Sequence, residues 1–138
     1  MFSNPKDEQI KDLLQKVKNI AVVGLSPKQE RPSNGVANYL KSQGYNIIPV
    51  NPGHSEILGE KSFPDLKSIP VEVDIVDVFR KPDTVMPIVE EALEINPKAI
   101  WFQEGVINEE AAQKAQDGGL MVVMDRCMLK EYKKLIES

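Results

Sequence analysis

The sequence has one cysteine and one histidine, Cys127 and His54, and each scarcity excludes something. One cysteine cannot build an internal disulfide framework and fits a reducing compartment. One histidine rules out a histidine-based metal cluster, and no Cys/His spacing suggests zinc, so no metal site is expected. No apolar run approaches the ~20 residues that span a bilayer. The opening residues "MFSNPKDEQIKDLLQK" are charged and do not read as a signal peptide. The expectation is a cytoplasmic protein without membrane association. Basic residues are outnumbered 17 to 21, for a net charge of −4. That argues against a nucleic-acid partner, which needs a basic stripe to release counterions. Repeats, low-complexity tracts and linkers are absent. A chain of 138 residues suits one domain over 1–138, with an N-terminal helix in 1–17 and a core over 18–138.

A catalytic constellation is also missing, so no enzymatic activity is expected. With one histidine no Ser–His–Asp order is convincing. Asp74 and Asp77 are three apart on an expected strand, so they point to opposite faces and form no acid/base pair.

What is present alternates between two periods. Asn4 can cap a first helix, with Pro5 at its first position and Asp7 and Glu8 in its first turn. Ile10, Leu13, Leu14 and Val17 follow at helical spacing. "NIAVVGL" is a continuous apolar run, as in a strand buried on both faces. Ser33 can cap a helix that carries Val36, Tyr39 and Leu40 and ends at Gly44. "YNIIPV" (45–50) is a second strand, and a short helix is expected near 64–68. "VDIVDVF" (73–79) is a third strand. Asp83 or Thr84 starts a helix, with Pro87 near its first turn. "KAIWFQ" (98–103) is a fourth strand, and Asn108 caps the helix after it. "LMVVM" (120–124) is a fifth, and Asp125 caps a terminal helix over 126–136. Strand–helix alternation with unbroken apolar strands gives an α/β fold. It is read as a doubly wound, mainly parallel five-stranded Rossmann-like sheet in the order 3-2-1-4-5, with helices on both faces. Ligands then bind outside the carboxyl ends of the strands, where the strand order reverses.

The loops at those ends carry the chemistry. The stretch "GLSPKQERPSNG" is either a plain turn or a phosphate cradle. In a cradle, Gly24 permits close backbone approach, Ser26 and Ser33 donate hydroxyls, and Arg31 pairs with phosphate beside a helix N-terminus. After strand 2 comes Asn51–Pro52–Gly53–His54, where an NAD-binding domain would place an acid for the ribose hydroxyls. His54 alone reads more simply as a solvated loop residue. After strand 3, Phe79 can flank a flat ring while Arg80 and Lys81 meet phosphate, unless they are merely solvated. Lys28, Arg31, His54, Arg80 and Lys81 all fall just past strands 1 to 3, which favours a polyanionic small molecule. Trp101 is expected in the core. Cys127 falls in the first turn of the last helix beside Arg126, a setting that would lower a thiol pKa. The plainer alternative is a small buried hydrophobe.

With these motifs in hand, the chain resembles the small single-domain CoA-binding proteins, relatives of the CoA-binding domain of the succinyl-CoA synthetase alpha subunit. The likeness rests on "RPS", "PVNP", "VDVFR" and "MDRC" in that order, and it covers residues 18–132. It implies that coenzyme A or an acyl-CoA is the ligand, held through its phosphates at the carboxyl ends of strands 1–3. Gly24, Leu25, Ser26 and the segment Arg31, Pro32, Ser33 look like the diphosphate site. Asn51, Pro52 and His54 look like the segment flanking the adenosine, and Phe79 and Arg80 like that lying over the nucleotide. Gln103, Glu104 and Gly105 look like the wall near the pantetheine arm. Cys127 is the candidate contact for the CoA thiol, through a mixed disulfide. The phosphohistidine segment of the synthetase is missing, so ligase activity does not carry over. The expected role is a non-catalytic carrier, sensor or regulator, alone, as a homo-oligomer or with another protein. The alternatives are an NAD(P)- or flavin-dependent oxidoreductase domain and an acyl-CoA enzyme completed by a partner subunit.

Overall fold

The apolar runs become parallel strands of one sheet with helices on both faces. The computed structural model describes residues 2–137. Helix α1 (Asp7–Lys16) leads into β1 (Asn19–Val23), α2 (Pro32–Ser42) and β2 (Asn46–Val50). A small antiparallel hairpin, β3 (Glu56–Ile57) and β4 (Glu60–Lys61), precedes β5 (Ile75–Val78). The chain continues through α3 (Met86–Ile95), β6 (Ala99–Phe102), α4 (Glu109–Asp117), β7 (Met121–Val123) and α5 (Met128–Tyr132). Among the described residues no helix is long and apolar enough to cross a membrane.

Period-2 alternation splits the strand side chains between two cores. Ala21, Val23, Val76, Val78, Ile100 and Phe102 pack under Val85, Val89 and Ala92 of the α3 segment and three alanines of α4. Ile20, Val22, Ile75, Ala99 and Trp101 pack under α1, α2 and α5. Trp101 is fully buried, and its Nε1 donates to the Arg126 carbonyl at 2.8 Å.

The sheet order is β2-β1-β5-β6-β7. The parallel Rossmann-like class is as expected, but the third long strand lies beside the first, giving 2-1-3-4-5 rather than 3-2-1-4-5. The outer edge of β2 is already occupied. Phe63 N donates to the Pro49 carbonyl (3.0 Å), and Asn51 N donates to the Phe63 carbonyl (2.9 Å). Pro49 itself marks β2 as an edge strand, because proline gives the ladder no N–H.

Three local expectations also change. Asn4 does not cap α1; its amide brackets the edge of the sheet just past β7, donating to Met124 O (2.9 Å) and accepting from Met124 N (2.8 Å). Lys6 caps the helix instead, with its N–H bonded to the Gln9 side chain. Residues 64–68 form no helix, because Asp65 Oδ1 accepts from the N–H and hydroxyl of Ser68 and closes a turn. Helix α3 begins at Met86, after a 3-10 turn over Pro82–Thr84. By contrast, Asn108 caps α4 as expected, accepting from Ala111 N at 3.0 Å.

Replacing Asn4 by Ala removes both bonds to Met124 and leaves two backbone groups unpartnered. We expect a loss on the order of 1–2 kcal/mol in chemical denaturation, with faster hydrogen exchange at the Met124 amide. An unchanged midpoint would refute this role.

Candidate functional site

After β1 the chain must turn sharply toward α2. Gly24 makes the turn at φ 87°, a conformation glycine adopts freely. A Cβ at this position would stand 2.2 Å from the Phe79 carbonyl oxygen. The loop after β1 therefore passes directly against the loop after β5, where the strand order reverses.

Short polar side chains shape the first loop. Ser33 Oγ accepts from Ser26 N (3.0 Å), and Asn34 Nδ2 donates to Ser26 O (2.9 Å). Asn51 ties the second loop to the first: its Nδ2 donates to Leu25 O, and its Oδ1 accepts from Gly53 N, both at 3.0 Å. Helix α2 starts with Pro32 behind Arg31 as N-cap and carries no acid in its first turn, whereas α1 and α4 each carry two. The positive end of α2 is left without a carboxylate of its own.

These loops enclose a cavity of about 710 Å³. Lys28, Arg31, His54, Arg80 and Lys81 all line it, and among the described residues no ion pair engages any of them. Glu104 is the one carboxylate on the lining, and Lys130 Nζ grips both its oxygens at 3.0 and 3.1 Å. An acidic chain thus presents a concave surface of uncompensated positive charge, beside the apolar Val36, Phe79, Pro82 and Val106.

The opposite wall joins the loops after β6 and β7. Asp125, at φ 60°, does not cap the last helix; its Oδ1 accepts from Gly105 N at 2.8 Å. Cys127 is the N-cap of α5 rather than a first-turn residue, is half-buried, and faces the same cavity. Arg126 forms an ion pair with the buried Glu131 at 3.0 Å. Behind this wall lies Asp77, fully buried in the sheet between Val22 and Trp101. Its Oδ1 accepts from Gln103 Nε2 at 2.6 Å, while Oδ2 has no partner among the described residues. Burial pushes its carboxyl up to about 7, against a smaller lowering effect of the Gln103 bond. Asp74 sits at the other end of that strand, capping it by accepting from Lys18 N and Asn19 N.

The structure therefore gathers Gly24, Ser26, Arg31, Pro32, Ser33, Asn51, His54, Phe79, Arg80, Gln103, Gly105 and Cys127 around one cavity. Leu25 and Pro52 are not on its lining: Leu25 is wholly buried under α2, and Pro52 lies exposed in the turn after β2. Pro27, Val36, Pro82 and Val106 line it without having been singled out. Val36 was legible only as a helix core position, and it does both jobs. Asp77 was read only for its strand face; nothing in "VDIVDVF" announced a carboxyl sealed from water.

Comparison with known proteins adds the following. A family model described as "CoA binding domain" matches residues 18–133. The Bacillus subtilis protein YneT is 44% identical over 127 residues, covering 92% of this chain and 94% of that one. An ADP-forming acetate–CoA ligase of Archaeoglobus fulgidus is 32% identical over 121 residues, 80% of this chain but 18% of the ligase. A solved structure of a hypothetical protein from Pyrococcus horikoshii superposes with a TM-score of 0.94 at 41% identity, covering 99% of this chain and 98% of that one.

Asp77 makes stability depend on pH. The folded state holds its proton more tightly than the unfolded state, so its contribution is complete below the unfolded value, near 4, and is lost as pH rises through about 7. Between pH 5 and 8 the protein should lose roughly 2 kcal/mol relative to Asp77→Asn. Denaturation midpoints at both pH values check this; parallel pH profiles for the two proteins would contradict it.

Proposed function

The chain belongs to the CoA-binding domain family, and from that premise we propose that it holds coenzyme A or an acyl-CoA in this cavity as a non-catalytic carrier, sensor or regulator. The observation that carries the reading is the set of four cations, Lys28, Arg31, Arg80 and Lys81, that among the described residues have no ion-pair partner around one concave site, whose single carboxylate is neutralised by Lys130. Coenzyme A offers a 5′-diphosphate and a 3′-phosphate, more negative charge than NAD brings. Arg31 and Arg80 suit phosphate because a guanidinium pairs with it in two-pronged fashion. The positive end of α2 suits the diphosphate.

The loop after β2 supports the same choice over a dinucleotide. An NAD site needs an acid there for the ribose hydroxyls. Here Asn51 occupies that place, and its amide is committed to Leu25 and Gly53. The nucleotide end then lies over Phe79 and Arg80, and the pantetheine arm runs along Gln103 and Gly105 toward Cys127.

Calorimetry and thermal shift with coenzyme A, acetyl-CoA, NAD and FAD test the reading. Coenzyme A at 100 times its Kd should stabilise the fold by about 2.7 kcal/mol. Arg31→Ala and Arg80→Ala should each weaken binding roughly 10- to 100-fold, and affinity should fall with salt. A shift with NAD and none with coenzyme A would overturn the assignment.

The placement of Cys127 on the lining yields a covalent test. Given CoA disulfide, the Cys127 thiolate attacks one sulfur, forming a protein–CoA disulfide and expelling one CoA thiolate, which takes up a proton. Mass spectrometry should show a single adduct that disappears on reduction and does not form in Cys127→Ser. An unmodified native protein would rule out this contact.

A further inference from the structure

Gln103 sits on the cavity wall yet is only 3% exposed. Its Nε2 is committed inward, to Asp77 Oδ1 at 2.6 Å. Its Oε1 receives only a long contact from Met128 N, 3.4 Å, so this carbonyl has acceptor capacity left. The orientation of the amide is thus set from behind, by a carboxyl placed in an otherwise apolar row between Val22 and Trp101. Leaving Oδ2 of that carboxyl buried without a partner costs stability. A glutamine supported by a neutral acceptor would not require this cost.

We propose that Asp77 is a positioning residue for the ligand's thiol-bearing arm: ionised, it fixes the Gln103 amide with Oε1 as the acceptor at the wall, so that the site selects an arm presenting an amide N–H. This rests on the coenzyme A reading above, since pantetheine carries two such amides. A protonated Asp77 still accepts from Nε2, but without the charge that strengthens this bond. The amide is then held less firmly, and the acceptor for the arm is less well placed. The carboxyl is pushed up to about 7 by burial, which places the change within the range of ordinary buffers.

Among the described residues, Gln103 is the only polar side chain bonded to Asp77. The elements over that face of the sheet contribute Tyr39, Tyr45, Cys127 and Tyr132 to the core layer, with Arg126 and Lys134 both paired to Glu131. Its register partners on the neighbouring strands are the apolar Val22 and Trp101.

Calorimetry at pH 6 and pH 8 with two probes tests the proposal: coenzyme A, and adenosine 3′,5′-bisphosphate, which has no arm. The ratio of wild-type to Asp77→Asn affinity for coenzyme A should grow by about fivefold from pH 6 to pH 8. The same ratio for the bisphosphate should stay constant. Phosphate titration cancels in both ratios. In a Gln103→Leu background, Asp77→Asn should no longer affect coenzyme A binding, and Gln103→Leu alone should flatten the pH profile relative to wild type. Equal effects of Asp77→Asn on both probes, or an effect that persists without Gln103, would reduce Asp77 to a structural residue and overturn the proposal. Wild-type protein that binds neither probe would instead overturn the coenzyme A reading itself.

Discussion

The site depends on the close passage of two backbones. Gly24 lies so near the Phe79 carbonyl that even one methyl group would collide with it. This passage brings the loops after β1 and β5 together at the reversal of strand order and sets the distance between the cations of one loop and those of the other. The hydrogen bonds of Ser33, Asn34 and Asn51 then hold the loops in place without using any charged group. The architecture spends neutral polar atoms on its own shape and keeps positive charge for whatever enters.

That division explains how a protein of net charge −4 can present a cationic hollow. Exposed ion pairs occupy lysines elsewhere, such as Lys16 with Asp12 and Lys67 with Glu94. Pairs of this kind add little stability. Their larger effect is to leave the surface locally neutral, so that the field is concentrated where no acid answers the cations.

Much of this was legible in the residues. Apolar runs read as strands because burial on both faces leaves no alternation, and Asn108 read as a cap because its side chain can reach back to Ala111 N. The rim cations were legible because topology puts every βα loop at one end of a parallel sheet. What failed were readings that required knowing neighbours far along the chain. Asn4 looks like a helix cap in its local sequence, but its partner is Met124. Asp125 looks like another, but its left-handed conformation turns it to Gly105. The strand order was within reach, because Pro49 cannot serve a central strand, and that signal outweighs the default of placing consecutive strands side by side. Leu25 entered only as part of the segment that the resemblance implied, and its apolar side chain is drawn into the core.

Each margin of the sheet is capped at its carboxyl end by the chain itself, through Phe63 on β2 and the Asn4 amide just past β7. Open strand margins are templates on which other chains can add. An intruding strand would have to displace native bonds at either side. Growth of the sheet from molecule to molecule, the route into fibrils, is thereby obstructed at both ends, by a side chain standing in for a missing strand at one and a returning loop at the other.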